Sequence, residues 1–332
     1  MSEAPRRART LRAAGLAITA LLALAGCSRD EPAAPTVSED NTRQEPVVVY
    51  ADAPGEDVLN SVFGDFTAQT GMRVTVRAAD AARNLADVMG NTGAPPADIL
   101  LTDNVADIWL AADEGALRKL AAASGIGNVP AEYKDPDGQW FALGIKRFVV
   151  VSAADADITM PESLEALTGP GYGGQLCLSS TTEVHNLELI AQLIETHGLR
   201  PAEIIVRQWM QNLALPPFET SGKLLDAVAA GSCPLAIVQD QAVAARSAEF
   251  SDSPPVEVYA SAFAAGIARH ARYPEIATEL LAWLQSDAGQ SSFASAAAAA
   301  RLNALPRPAH ALTALGWQRE EARLLAERAR WR

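Results

Sequence analysis

The chain has 332 residues and carries 27 basic against 40 acidic side chains, a formal net charge of −13. Such an excess of acid argues against nucleic acid as a partner, since phosphate is met by clustered Lys and Arg. The length is enough for two domains of ordinary size.

In chain order, the first feature is a basic stretch, Arg6, Arg7, Arg9 and Arg12, followed by an apolar run from Leu16 to Leu24. The run is too short to span a bilayer and has the layout of a secretory signal. It ends in Leu24-Ala25-Gly26-Cys27, which resembles a bacterial lipobox, so residues 1–26 read as a lipoprotein signal peptide and Cys27 as the lipidated new N-terminus. Residues 27–45 are polar, without apolar periodicity, and read as a solvated tether to a membrane. Removing residues 1–26, with four Arg and one Glu, leaves 23 basic and 39 acidic residues, a net charge of −16.

From Val47 short β-branched runs alternate with segments of helical period, the pattern of a helix-flanked, mostly parallel sheet. Strands are predicted at 47–51, 72–78 and 97–102, with helices at 54–70, 81–89 and 105–117. A long β-prone run, WFALGIKRFVVVSA, fills 140–153. A second block then follows: a strand QLCLSS (175–180), helices over 183–197, 201–213 and 221–230, and a strand PLAIVQD (234–240). Strands at 256–261 and 263–270 precede a helical tail that starts at Pro274, and the alanine-dense 294–300 reads as helix.

Cys177 and Cys233 sit on two of these apolar runs. A bridge between them would close a loop worth about 4 kcal/mol on the chain-entropy model, while two buried thiols are the other reading. In open α/β sheets ligands lie beyond the carboxyl ends of strands. Those ends are ADAPGED, TDN, SSTTEVHN and QDQ, with ETSGK opening another helix. They supply the candidate ligand-binding residues Asp52, Asp103, Asn104, Ser180, Thr181, Thr182, Glu183, Ser221 and Asp240, with Lys146 or Arg147 adding a cation. Each Ser, Thr or Asp also suits a helix cap. Asp103, His185 and Asp240 are candidate metal ligands, an oxygen-rich set with one imidazole. The chain has no G-x-S-x-G, H-E-x-x-H or glycine-rich phosphate loop, so nothing pairs a nucleophile with a base and no enzyme is indicated.

PPADILLTDNVADIWLAADEGALRKL, QWFALGIKRFVVVSA, PESLEALTGPGYGGQLCLSS, SGKLLDAVAAGSCPLAIVQD and YPEIATELLAWLQSDAGQ occur in this order. Together they resemble the ABC-transporter solute-binding proteins of the periplasmic ferric-ion-binding group, from Val47 to about Ala294. The resemblance implies a two-lobed α/β fold of the type II periplasmic-binding-protein kind, each lobe a mostly parallel sheet flanked by helices. Lobe 1 would be residues 46–145 plus 257–332 and lobe 2 residues 146–256, with KRFVVVS and VEVYA as hinge crossings. It also implies a monomer, held at a bacterial membrane on the periplasmic or cell-surface side, that passes a small solute to an ABC permease and ATPase and carries no cofactor. Ferric binders of the group use a histidine, a glutamate and two adjacent tyrosines. Pro54, Asp103 and Gln241-Ala242 stand at those places here, so the phenolates are missing. A phosphonate, another oxyanion, a zwitterion or an organic cation is the alternative solute, and presentation of solute to a membrane sensor the alternative role.

Overall fold

The computed structural model describes residues 45–90, 93, 94, 96–253, 259–304, 307, 308 and 310–332. The signal peptide, the Cys27 anchor and most of the tether lie outside the described residues. The elements run β1 (Val47–Ala51), α1 (Glu56–Thr70), β2 (Val74–Ala78), α2 (Ala81–Val88), β3 (Ile99–Thr102), α3 (Val105–Asp113) and β4 (Trp140–Ala153). Then come β5 (Leu176–Cys177), α4 (His185–His197), α5 (Leu199–Gln211), α6 (Ser221–Ala229), β6 (Leu235–Gln239), α7 (Asp240–Ala244) and β7 (Phe250–Ser253). The chain closes with β8 (Ala260–Ile267), α8 (Pro274–Gln285), α9 (Asp287–Ala296), α10 (Thr313–Trp317) and α11 (Arg319–Ala329). No helix among the described residues is long and apolar enough to cross a membrane.

Local chemistry explains most helix ends. α1 carries Glu56 and Asp57 in its first turn, buries Leu59, Val62, Phe63 and Phe66, and stops at Gly71, whose φ of 76° suits a residue without Cβ. Side chains of Asp80, Asn104 and Thr220 cap α2, α3 and α6 by accepting backbone N–H bonds.

The strands are ordered β2-β1-β3-β8-β4-β6-β5, with β7 also paired to β4. Parallel pairing is confined to β1–β2, β1–β3 and β5–β6, whereas every pairing made by β8 or β4 is antiparallel. The sheet is therefore more mixed than the alternating pattern predicted, because β4 and β8 run past each other as long neighbours instead of returning through a helix. Strand β4 changes partners midway: Trp140 to Arg147 pair with β8, and Phe148 to Val151 pair with β6. Its period-two alternation also divides the core. Phe148 and Val150 join the main cluster with Ile237, while Val149 and Val151 pack with Ala236, Val238, Leu224 and Val228 beneath α6. A Cys177–Cys233 disulfide ties β5 to the start of this smaller core, with Cα atoms 6.0 Å apart.

Three expectations about the tail change. The strands predicted at 256–261 and 263–270 are, where described, one strand, β8, fully buried along its length. Helix does not continue through 294–300: Ala298 has φ 50°, and Ala300 exchanges two 2.8 Å backbone hydrogen bonds with Ile145. Residues 313–329, expected to side with the first half of the molecule, pack elsewhere as well. Helix α10 packs on both α3 and α4, and α11 packs on α4 and α5. Gly316 permits the approach of α10 to α3, since a Cβ there would overlap the indole of Trp109.

Candidate functional site

The polar strand ends gather into two hydrogen-bonded groups on either side of the point where β4 changes partners. In the first, the Asp52 carboxylate accepts the Thr102 hydroxyl at 2.7 Å and the Asp103 N–H at 3.1 Å. Burial, reinforced by the charge of Asp103, pushes the Asp52 carboxyl up to about 7. Lys146 is fully buried; its Nζ donates to the Asp103 carbonyl at 2.6 Å, lies 3.5 Å from the Asp103 carboxylate and covers the Phe263 ring at 4.7 Å. Behind it stands Glu188, fully buried, which accepts the Val105 N–H at 2.8 Å and the Ser261 hydroxyl. Burial pushes Glu188 up to about 7 although the charge of Lys146 opposes the shift.

In the second group, Asp240 accepts the Arg147 backbone N–H at 3.0 Å and its guanidinium at 2.8 Å. Glu183 accepts the backbone N–H of Ser221 at 3.0 Å and its hydroxyl at 2.6 Å. That carboxylate thus occupies the N-terminus of α6, the helix opened by the ETSGK stretch. Burial works to raise Glu183, but hydrogen bonds from His185 and Ser221 outweigh it and hold the carboxyl near 2. His185 lies 3.5 Å from Glu183, its ring tilted 6.5 Å from Phe148.

Several predicted ligands turn out to have structural partners. Asn104 is the cap of α3, accepting the Ala106 N–H at 2.8 Å. Ser180 accepts bonds from the N–H and hydroxyl of Thr182. Thr181 donates to the carbonyl of Trp331 at 2.9 Å, and the Trp331 indole donates to Ser179 at 2.7 Å, so the loop is fastened to the C-terminal tail. Asp103, His185 and Asp240 do not converge: each faces a different internal partner, and among the described residues no three His, Cys, Asp or Glu side chains group to hold a metal ion.

Sequence reading missed Glu188, the lone charge within an apolar helix face, and Gln239, the last residue of β6. Gln239 is buried, and its amide nitrogen makes no hydrogen bond among the described residues. The QDQ stretch marked the place but not which glutamine was buried.

The model of one protein family, described as bacterial extracellular solute-binding protein, matches residues 47–296. The chain belongs to that family. Its members bind solutes and are not enzymes, which agrees with the absence of a nucleophile paired to a base. Iron uptake protein A1 of Synechocystis sp. is 28% identical over 220 residues, covering 65% of this solute-binding protein and 59% of the relative's own length. Iron uptake protein A2 of the same organism is 25% identical over 264 residues, 72% of each chain. Among solved structures, a Trichodesmium protein (IdiA, FutA) in complex with iron and citrate ligands matches with a TM-score of 0.80 at 20% identity, covering 87% of the solute-binding protein and 100% of that chain. A Bordetella ferric binding protein matches with a TM-score of 0.78 at 20% identity, covering 86% and 99%. The type II periplasmic binding fold is thereby shared.

Proposed function

We propose that this solute-binding protein captures iron already wrapped in an anionic chelator and delivers it to an ABC importer, held at the membrane through lipid on Cys27. The observation that carries the reading is the internal neutralisation of the cleft. Asp103 faces Lys146, Asp240 faces Arg147 and Glu183 is taken up by the backbone N–H and hydroxyl of Ser221, while positions 241 and 242 hold Gln and Ala. A bare ferric ion needs several anionic oxygens from the protein, and the charges here are already balanced. A chelate brings its own oxygens and needs hydrogen-bond donors instead. Arg147, 27% exposed, offers such donors. The names of the Synechocystis relatives and the citrate in the Trichodesmium complex support iron as cargo. Residues 46–145 with 257–332 and residues 146–256 act as two lobes that close over the solute by rotation about β4 and β8, a movement usual in periplasmic binding proteins.

Thermal-shift and titration experiments on residues 28–332 with ferric citrate, citrate alone, ferric nitrilotriacetate and methylphosphonate test the proposal. Ferric citrate at 100 times its dissociation constant should add about 2.7 kcal/mol of stability. Arg147→Met should weaken it by about 1.5–3 kcal/mol, the worth of a hydrogen bond to a charged group. The complex should lack the red phenolate-to-iron band of tyrosine-ligated iron. A red complex, or stabilisation by methylphosphonate with none by ferric citrate, would overturn the reading.

A further inference from the structure

A separate cavity of about 310 Å³ lies where the N-terminal turns of α3 and α4 meet α10 and α11. Its apolar wall is Val184, Leu187 and Leu315, with Val184 42% exposed at the rim. The charged groups around it fall into two kinds. Glu320 and Arg323 pair with each other at 2.6 Å, and Glu188 is held by Val105 and Ser261, so these are satisfied within the protein. Asp107 and Arg319 are different. They face each other electrostatically across the cavity, yet among the described residues neither side chain closes a hydrogen bond or an ion pair.

We propose that this cavity binds a zwitterionic aliphatic α-amino acid, with Arg319 taking the carboxylate, Asp107 the ammonium and the Val184, Leu187 and Leu315 wall the side chain. An unclosed pair of opposite charges beside an apolar wall is complementary to a molecule with both charges at one end and a hydrocarbon at the other. A simple anion would leave Asp107 unmet, and a simple cation would leave Arg319 unmet. The volume lies within the range of small-molecule sites, about 300–1,000 Å³, and a few convergent polar groups in a mainly apolar lining are their usual composition. Burial raises Asp107 above the ordinary carboxylate range, with Arg319 opposing the shift. The site uses none of the cleft residues assigned to the iron chelate.

Calorimetric titration with L-leucine, isocaproate, which lacks the ammonium, and isoamylamine, which lacks the carboxylate, tests it. L-leucine should bind, and each single-charge analogue should bind at least tenfold more weakly. Arg319→Gln and Asp107→Asn should each weaken L-leucine at least tenfold while leaving the response to ferric citrate unchanged. Val184→Trp, at the exposed rim, should block L-leucine without altering the unliganded melting temperature. The proposal fails if L-leucine does not bind, if both charge variants bind it as well as the parent, or if Arg147→Met abolishes its binding while Arg319→Gln does not.

Discussion

Lys146 and Arg147 are adjacent on one strand, and their surroundings could hardly differ more. The Lys146 side chain has no exposed surface and is enclosed by Asp103, Phe263 and the field of Glu188. Arg147 leaves 27% of its side chain in water and is held by Asp240, itself 20% exposed. Successive residues of a strand point to opposite faces, so one step of chain separates a fully buried charge from one left partly in water. Burial accounts for the contrast. A cation in a dry interior must keep its partners, because losing one leaves another charge uncompensated, whereas a half-wet guanidinium exchanges one oxygen for another at little cost.

The widest gap between the two groups should appear at their glutamates. Glu188→Leu strands the Val105 N–H and the Ser261 hydroxyl in the interior and removes the countercharge of Lys146, and is expected to cost about 3–5 kcal/mol in urea unfolding. A loss below 1 kcal/mol would show that the buried network is not structural. Glu183→Leu, whose partners reach water more easily, should cost about 1–3 kcal/mol, and equal losses in the two variants would erase the comparison.

Acidity separates the groups by sign. Asp52 and Glu188 titrate near 7 in the folded protein, above their ordinary values near 4, so their contribution to stability is complete below pH 4 and is lost as the pH rises through 7. Glu183 titrates near 2, so its contribution is present above about pH 4.5 and is lost as the pH falls toward 2. Asp52→Asn should flatten the alkaline decline, and Glu183→Gln the acid one, in melting temperatures followed from pH 3 to 9. An unchanged profile in Asp52→Asn would remove Asp52 from this account. The smallest effect belongs to Thr181→Val, expected to lower stability by about 0.5–1.5 kcal/mol through one lost bond to the tail. Loss of ferric citrate binding without loss of stability in that variant would return Thr181 to the solute.

Much of this was legible beforehand. The apolar runs at 47–51 and 140–153 and the ETSGK stretch, whose Thr220 caps α6, announced their elements, because strand burial and capping are local properties. The strand ends drew attention to Asp52, Asp103, Glu183 and Asp240. What they could not show was that each carboxylate is answered from far along the chain, as Glu183 is by Ser221, 38 residues later, and Asp240 by Arg147, 93 residues earlier. A residue type announces that it has a charge, and only the fold decides whether that charge remains for a ligand. For the same reason Thr181 read as a ligand, since its acceptor lies 150 residues away.

That distant acceptor bears on the order in which the molecule is made. The loop of Ser179 to Thr182 is pinned by the carbonyl and indole of Trp331, and Trp331 is synthesised 150 residues after Thr181. A nascent chain that has just passed Asp240 therefore possesses Asp103, Glu183 and Asp240 but lacks the fastening of that loop, whose last hydrogen bonds form only once Trp331 has been made.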